Sequence, residues 1–237
     1  ELKKRNKQGK AYAGNTDELK LVNKGLYLNG KRMHGVITMT LNKSTTPHIF
    51  RSFINDPVYY PDHLGAIAIT ADKRNLALIR ELATTGKLSE QERDLVLKYV
   101  PWTEIMQKNK TVNFRNETFE LTDLLKSNKD SFVIKDANGS QGDNVFIGKY
   151  LSQSEWETAI QKSLGEKPYI AQEFTDSLDF LGPNIKNDWV PHKLIWGAFG
   201  FGDTYGGVFI RMSESEKSNG VINTAIGAVE AIVYEIE

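Results

Sequence analysis

The run FVIKDANGSQGDNVFIG at residues 132–148 constrains this chain more than any other segment. Phe132-Val133-Ile134 and Val145-Phe146-Ile147 are short apolar runs bounded by Asn and Gly, the pattern of two antiparallel strands joined by a loop. The first strand delivers Lys135, and the loop that follows, residues 136–142, is small, polar and glycine-containing. Glycine lets a backbone approach a phosphate closely, and successive N–H groups in such a loop can turn inward on an anion. A lysine beside the loop adds a compact positive charge. The GxxxxGK[ST] spacing of a P-loop is absent, and the lysine precedes the loop.

At 237 residues the chain is long enough to bury a substantial core, as one large domain or two small lobes. Its 30 basic and 30 acidic residues cancel, so no global electrostatic case exists for nucleic acid or an anionic membrane. No apolar run reaches the length of a membrane span. With 0 cysteines, disulfides and thiolate metal sites are excluded, which suits a cytoplasmic protein. The first residue is Glu1 instead of Met, which reads as a fragment or a trimmed chain.

The first dozen residues are basic and polar with no apolar period and read as a frayed start. A short turn is expected at Asp17-Glu18-Leu19. Asn29-Gly30 between Gly25-Leu26-Tyr27-Leu28 and Lys31-Arg32-Met33 predicts a hairpin. Residues 36–41 read as a buried strand, residues 42–63 as a long connection with a short helix near Ile49, Phe50 and Phe53, and residues 65–69 as another buried strand. A helix opens near residues 70–73, with Leu76, Ile79, Leu82 and Ala83 at helical spacing and Gly86 as its stop. Ser89 and Glu92 form a capping-box pattern ahead of Leu95, Val96, Tyr99 and Val100, and Pro101 ends that helix. A polar hairpin over residues 112–119 and a short helix over 121–125 lead into the opening stretch. Beyond it, Ser152 or Ser154 caps a helix bearing Trp156, Ala159, Ile160 and Leu164. A strand follows at residues 168–174, then a loop over 179–189, strands at 190–199 and 206–212, a charged loop over 213–220 and a closing strand at 229–236.

The order strand, lysine, glycine loop, strand, helix, strand, Gln-Glu-Phe bend, long strand and arginine strand resembles the ATP-grasp fold. In that fold a nucleotide lies between two small α+β lobes. More closely it resembles the circularly permuted branch, which includes glutathionylspermidine synthetase-like carboxylate–amine ligases. The resembling segments are Asp72-Lys73-Arg74-Asn75-Leu76-Ala77-Leu78, Val100-Pro101-Trp102-Thr103, Val133-Ile134-Lys135 with Gly139 and Gly142, Tyr169-Ile170-Ala171-Gln172-Glu173-Phe174, and Gly206-Gly207-Val208-Phe209-Ile210-Arg211. They span residues 65–225 or so in the family's order. The segment over residues 26–41 resembles the region ahead of the grasp. The resemblance implies an α+β chain with mostly antiparallel sheets, divided into an N-terminal α/β segment at 1–64 and a nucleotide-binding domain at 65–237.

It also implies roles, each beside a plainer reading. Lys135 would contact ATP phosphates; otherwise it is a surface lysine ending an edge strand. Asn138, Gly139, Ser140, Gln141 and Gly142 would close over the phosphates, although the Gly-Gly pattern common in the branch is here Gly-Ser-Gln-Gly; otherwise they are an Asn-Gly turn. Gln172, Glu173 and Phe174 would form the hinge that reads the adenine; otherwise Glu173 is an exposed acid. Arg211 would stabilise an acyl phosphate, where negative charge gathers; otherwise it pairs with Glu214 or Glu216. Lys73 would lie near the nucleotide, beside an Asp72 that capping explains equally well. His192 and Lys193 are lesser candidates, and Trp102 and Trp156 read as core. The family's Mg²⁺ is held by carboxylates and an Asn in a Glu-x-Asn strand. No such strand occurs in the first half, and Asn116-Glu117, Asn223, Glu235 and Glu237 are poor substitutes. The metal ligands are therefore unknown and expected outside these residues, or lost. The implied activity joins a small carboxylate or peptide to an amine through an acyl phosphate. The alternative is a degenerate, non-catalytic ATP-grasp scaffold that binds a protein or small molecule.

Overall fold

A computed structural model of the chain describes residues 8–37, 47, 51–52, 58–59, 69–201, 204–224, 227–231 and 233–234. It shows a mixed α+β architecture whose named strand pairs are all antiparallel. The chain forms two compact units, Glu1–Thr70 and Ala71–Glu237.

In the first unit, β1 (Leu19–Val22), β2 (Gly25–Leu28) and β3 (Lys31–Arg32) form one sheet in that order. The Asn-Gly hairpin is present. Asn29 and Gly30 take φ of 48° and 75°, the left-handed conformation a tight hairpin turn demands. Strand β1 was not foreseen, because LKLV is flanked by charged residues and has a polar position inside it. The expected turn is a 3-10 turn at Thr16–Glu18. Of the strand expected over 36–41, residues 36–37 are loop, with the Val36 N–H donating to the Tyr59 carbonyl at 2.8 Å; the rest lies outside the described residues. Ile49, Phe50 and Phe53 also lie outside them, as do residues 65–68, while Ile69 is helical and not strand.

The second unit opens with α1 (Arg74–Thr84) and α2 (Glu90–Tyr99). The Asp72 carboxylate accepts from the Arg74 backbone N–H at 2.9 Å, so it caps α1 without being its N-cap residue. Ser89 and Glu92 make the foreseen capping box on α2. Next come β4 (Thr103–Ile105), the hairpin β5 (Thr111–Phe114) and β6 (Glu117–Glu120), and α3 (Leu121–Ser127). Then β7 (Phe132–Asp136) and β8 (Val145–Ile147) flank the glycine loop. Ser152, not Ser154, caps α4 (Gln153–Ser163), again with a capping box to Glu155. Strand β9 (Tyr169–Glu173) completes a sheet ordered β4-β9-β7-β8.

Side chains alternate across a strand, so β7 divides its residues between two environments. Phe132 and Ile134 enter the core with Tyr169, Ala171, Trp156, Ile160, Leu121, Leu124 and Leu125. Val133 and Lys135 face the other way. By register they share that face with Ile170 and Gln172 of β9 and with Thr103 and Ile105 of β4.

A second sheet is ordered β10-β11-β12-β13. Residues 179–189 do not form a continuous loop: β10 (Asp179–Pro183) pairs with the start of β11 (Trp189–Phe201). Gly182-Pro183 suggested a loop, but a proline is tolerated on an edge strand, and β10 is the edge. The ribbon of β11 with β12 (Thr204–Glu214) is longer than expected, with a bulge at Ala198/Gly200. The loop expected from Ser213 gives way to strand through Glu214 and then a 3-10 turn at Ser215–Lys217. The closing strand is short, β13 (Val229–Ala231), and Glu235 and Glu237 lie outside the described residues. Among the described residues no helix is long and apolar enough to cross a membrane.

Candidate functional site

Lys135 is the one charged residue on its face of β7, and its ammonium donates to the Gln172 amide oxygen at 2.7 Å. Burial pushes its pKa below the ordinary lysine value, and the neighbouring positive charge of Lys73 pushes in the same direction. Lys73, at the start of α1, donates from its side chain to the Gly139 carbonyl at 2.6 Å, while its backbone N–H donates to the Ala137 carbonyl at 2.9 Å. Two ammonium groups therefore converge beside the glycine loop. Among the described residues neither is in an ion pair. Asp72, the acid next to Lys73, is engaged by the Arg74 guanidinium at 3.0 Å, which holds its pKa below the usual carboxylate range.

The loop itself is ordered from within. The Asn138 N–H donates to the Asp136 carboxylate at 2.9 Å and the Gly139 N–H to the Asp136 carbonyl at 3.3 Å. Asp143 N–H closes the far side on the Ser140 carbonyl at 3.0 Å. Gln141 and Gly142 both take positive φ, 56° and 86°. Among the described residues the N–H groups of Ser140, Gln141 and Gly142 have no hydrogen-bond partner. Three free amide donors beside two unpaired ammonium groups form an arrangement suited to an anion.

Gln172 belongs to this cluster, but its neighbour Glu173 does not. Alternation along β9 turns Glu173 to the opposite face, where its carboxylate accepts from Arg115 at 2.8 Å. The backbone N–H groups with which such a hinge could read an adenine edge are already used: Glu173 donates to the Trp102 carbonyl and Phe174 to the Ser131 carbonyl, both at 2.8 Å. Phe174 packs edge-on against Tyr150 at 6.3 Å. Trp102 and Trp156 are buried in the core, as foreseen.

Arg211 lies on β12, level with Ile195 and Glu230. Its guanidinium carbon sits 4.8 Å from the centre of the Phe209 ring, and its Nε is buried with no hydrogen-bond partner. The pairing with Glu214 considered above does not form, because Glu214 is held by Lys217 at 2.7 Å. Lys193 shares Arg211's face of the sheet and reaches Asp176 and Asp179, each at 3.2 Å. Asp176 also accepts from Lys149 at 3.0 Å, in the 3-10 turn after β8. The return segment after β12 comes back onto the first sheet: a side chain at Gly220 would collide with Ile147, and one at Gly142 with Val221. Ile147 is on the Lys135 face, level with Val133. No hydrogen bond or ion pair joins Arg211 to the lysine cluster among the described residues. His192 is buried near the start of β11 with its Nδ1 2.9 Å from the Val190 carbonyl, the environment of a structural histidine.

Two partners were given no role from the sequence, Thr103 within the segment Val100-Pro101-Trp102-Thr103 and Arg115 on the opposite face of the sheet. Thr103 is buried and accepts from the Gln172 amide at 2.9 Å, and Arg115 takes up Glu173. Threonine in a short strand is ordinary, and both pairings bridge segments far apart in sequence.

Among the described residues no three His, Cys, Asp or Glu side chains are grouped to hold a metal ion. No family model and no curated protein sequence matches this chain.

Proposed function

We propose that residues 71–237 bind the phosphates of ATP at Lys73, Lys135 and the 138–142 loop, as the nucleotide-binding region of a circularly permuted ATP-grasp ligase. The observation that carries this is a pair of ammonium groups outside any ion pair, Lys73 bonded to the Gly139 carbonyl and Lys135 near enough to feel its charge, at a loop with free N–H donors. Like charges brought together in a half-buried setting are unfavourable by themselves and are relieved by an anion. The chemistry that follows in this reading is transfer of a phosphoryl group to a carboxylate and displacement of phosphate by an amine. Arg211 has the charge to stabilise the acyl phosphate. The chain's own residues would bind and orient the nucleotide. Calorimetry with a non-hydrolysable ATP analogue and Mg²⁺ tests it. Binding by the wild type that is lost in Lys135→Ala supports the reading, and no binding by the wild type overturns it.

One observation favours the second reading, a non-catalytic scaffold. The N–H groups of Glu173 and Phe174 are spent on protein carbonyls, leaving the hinge without these donors for a base. A protein of that kind would bind tripolyphosphate as well as ATP, and would form no acyl phosphate.

A further inference from the structure

The amide of Gln172 is held in one orientation by a buried chain of donors that ends where only an acceptor is available. Thr103 Oγ lies 2.8 Å from the Pro101 carbonyl, which can only accept, so the hydroxyl's single proton goes there. With that proton committed, Thr103 Oγ can only accept from Gln172, whose Nε2 lies 2.9 Å away. The Gln172 NH₂ therefore points to Thr103, and its Oε1 points to Lys135 at 2.7 Å. Thr103 is 2% exposed and Gln172 6%, so water does not compete for these groups. Buried polar groups are costly unless satisfied, and each link here is satisfied only in this direction.

We infer that Gln172 and Thr103 are positioning residues that fix the Lys135 side chain and favour its ammonium form for the phosphate site. The inference rests on the reading of that site as a phosphate site. A flipped amide would direct its NH₂ at Lys135 and disfavour a positive charge there. The charged group that acts on Lys135 is Lys73; Asp136, Glu104 and Glu173, the acids nearest in register, belong to the opposite face of the sheet. The fixed amide oxygen is the acceptor on this face that favours the ammonium against burial and against Lys73. Neither residue needs to touch the ligand for this effect.

The test uses tripolyphosphate and a non-hydrolysable ATP analogue, titrated across a range of pH into wild type, Thr103→Val, Thr103→Ser and Gln172→Met. Thr103→Val keeps the shape of the side chain and removes the acceptor. It is expected to weaken binding roughly ten-fold, the scale of a lost hydrogen bond to a charged group. It is also expected to move the pH above which binding is lost to a lower value, since the ammonium form is less favoured. Thr103→Ser restores the hydroxyl and both properties. Gln172→Met behaves like Thr103→Val. A Thr103→Val protein of wild-type affinity and wild-type pH profile overturns the inference, as does a loss of affinity with an unmoved profile, which marks a merely structural role. Should the variants fold poorly, circular dichroism and the serine rescue separate misfolding from mispositioning. If the wild type binds neither probe, the phosphate reading fails first, and the inference falls with it.

Discussion

The ammonium group of Lys73, at the start of α1, is 2.6 Å from the carbonyl oxygen of Gly139 in the glycine loop, 66 positions later in the chain. One hydrogen of the ammonium is used there, and the others remain for an anion. Lys73 thus both tethers the loop and contributes charge to the proposed site. Lys73→Met is expected to weaken tripolyphosphate and ATP-analogue binding by a similar factor, roughly ten-fold or more. Adenosine affinity should not change. Calorimetric titration with all three compounds checks this, and an equal loss for adenosine would contradict the assignment to phosphates.

Gly142 and Gly86 both have a left-handed backbone, and comparing them separates loop geometry from site function. Gly142 has φ of 86°, and a Cβ there would lie 2.7 Å from Val221. Gly86, just after α1, has φ of 72° and open space around it. Each Gly→Ala substitution is expected to cost about 1 kcal/mol in denaturant unfolding from backbone strain. Only Gly142→Ala should also weaken phosphate binding, because it alone displaces the loop. Equal binding by both variants would remove the loop from the site.

Much of the fold was legible because its signals are local. The Asn-Gly turn, the Ser89–Glu92 box and the helical stripe of Trp156, Ala159 and Ile160 each declare themselves within a few residues. Strand β4 did not, because its three residues carry no period and owe their conformation to pairing with β9 far along the chain. Strand β10 was hidden by Gly182-Pro183, which only an edge position permits. At the site, Lys135 and the loop were visible as a motif and Lys73 was expected near the nucleotide from the resemblance; the structure adds its hydrogen bond to the loop carbonyl of Gly139. The separation of Gln172 from Glu173 followed from alternation within one strand. The partners that decide their roles, Thr103 and Arg115, come from segments no local pattern connects.

Arg211 carries a buried Nε with no partner, a cost that folding alone does not explain. Removing the guanidinium while keeping an unbranched side chain to cover Phe209 should relieve that cost. Arg211→Met is expected to be as stable as wild type or more so, and to lose any acyl-phosphate formation. Thermal unfolding read beside a hydroxylamine trap for the acyl phosphate measures both. A clear loss of stability would assign Arg211 to structure instead.

Trp156 fixes α4 on the core in two ways. Its side chain is fully buried, and its indole Nε1 donates to the Leu125 carbonyl at 2.8 Å, tying α4 to α3. Trp156→Phe removes the donor and leaves the carbonyl buried without this partner, at a cost of about 1–3 kcal/mol before any cavity is counted. Chemical denaturation should show the loss as a lower midpoint. The lysine cluster lies on the other face of the sheet, so phosphate affinity at temperatures where the variant is folded should change little.

Asp176 links the 3-10 turn after β8 to β11, through Lys149 on one side and Lys193 on the other. Burial tends to raise its pKa, but the hydrogen bonds and charges of the two lysines outweigh it and hold the carboxyl below the ordinary value. A carboxylate whose pKa is lower folded than unfolded stabilises the fold above its unfolded pKa, and that contribution disappears as pH falls through the folded pKa. Asp176→Asn should therefore be less stable than wild type near neutral pH. The difference between them should shrink once the pH drops below the ordinary carboxylate range. Lys149 is the more exposed partner and Lys193 the better covered one, so removing Lys193 should reproduce more of the effect than removing Lys149. Urea unfolding of the three variants at neutral and acid pH checks the order. A stability gap that persists unchanged into acid would show that Asp176 acts through packing and not through its charge.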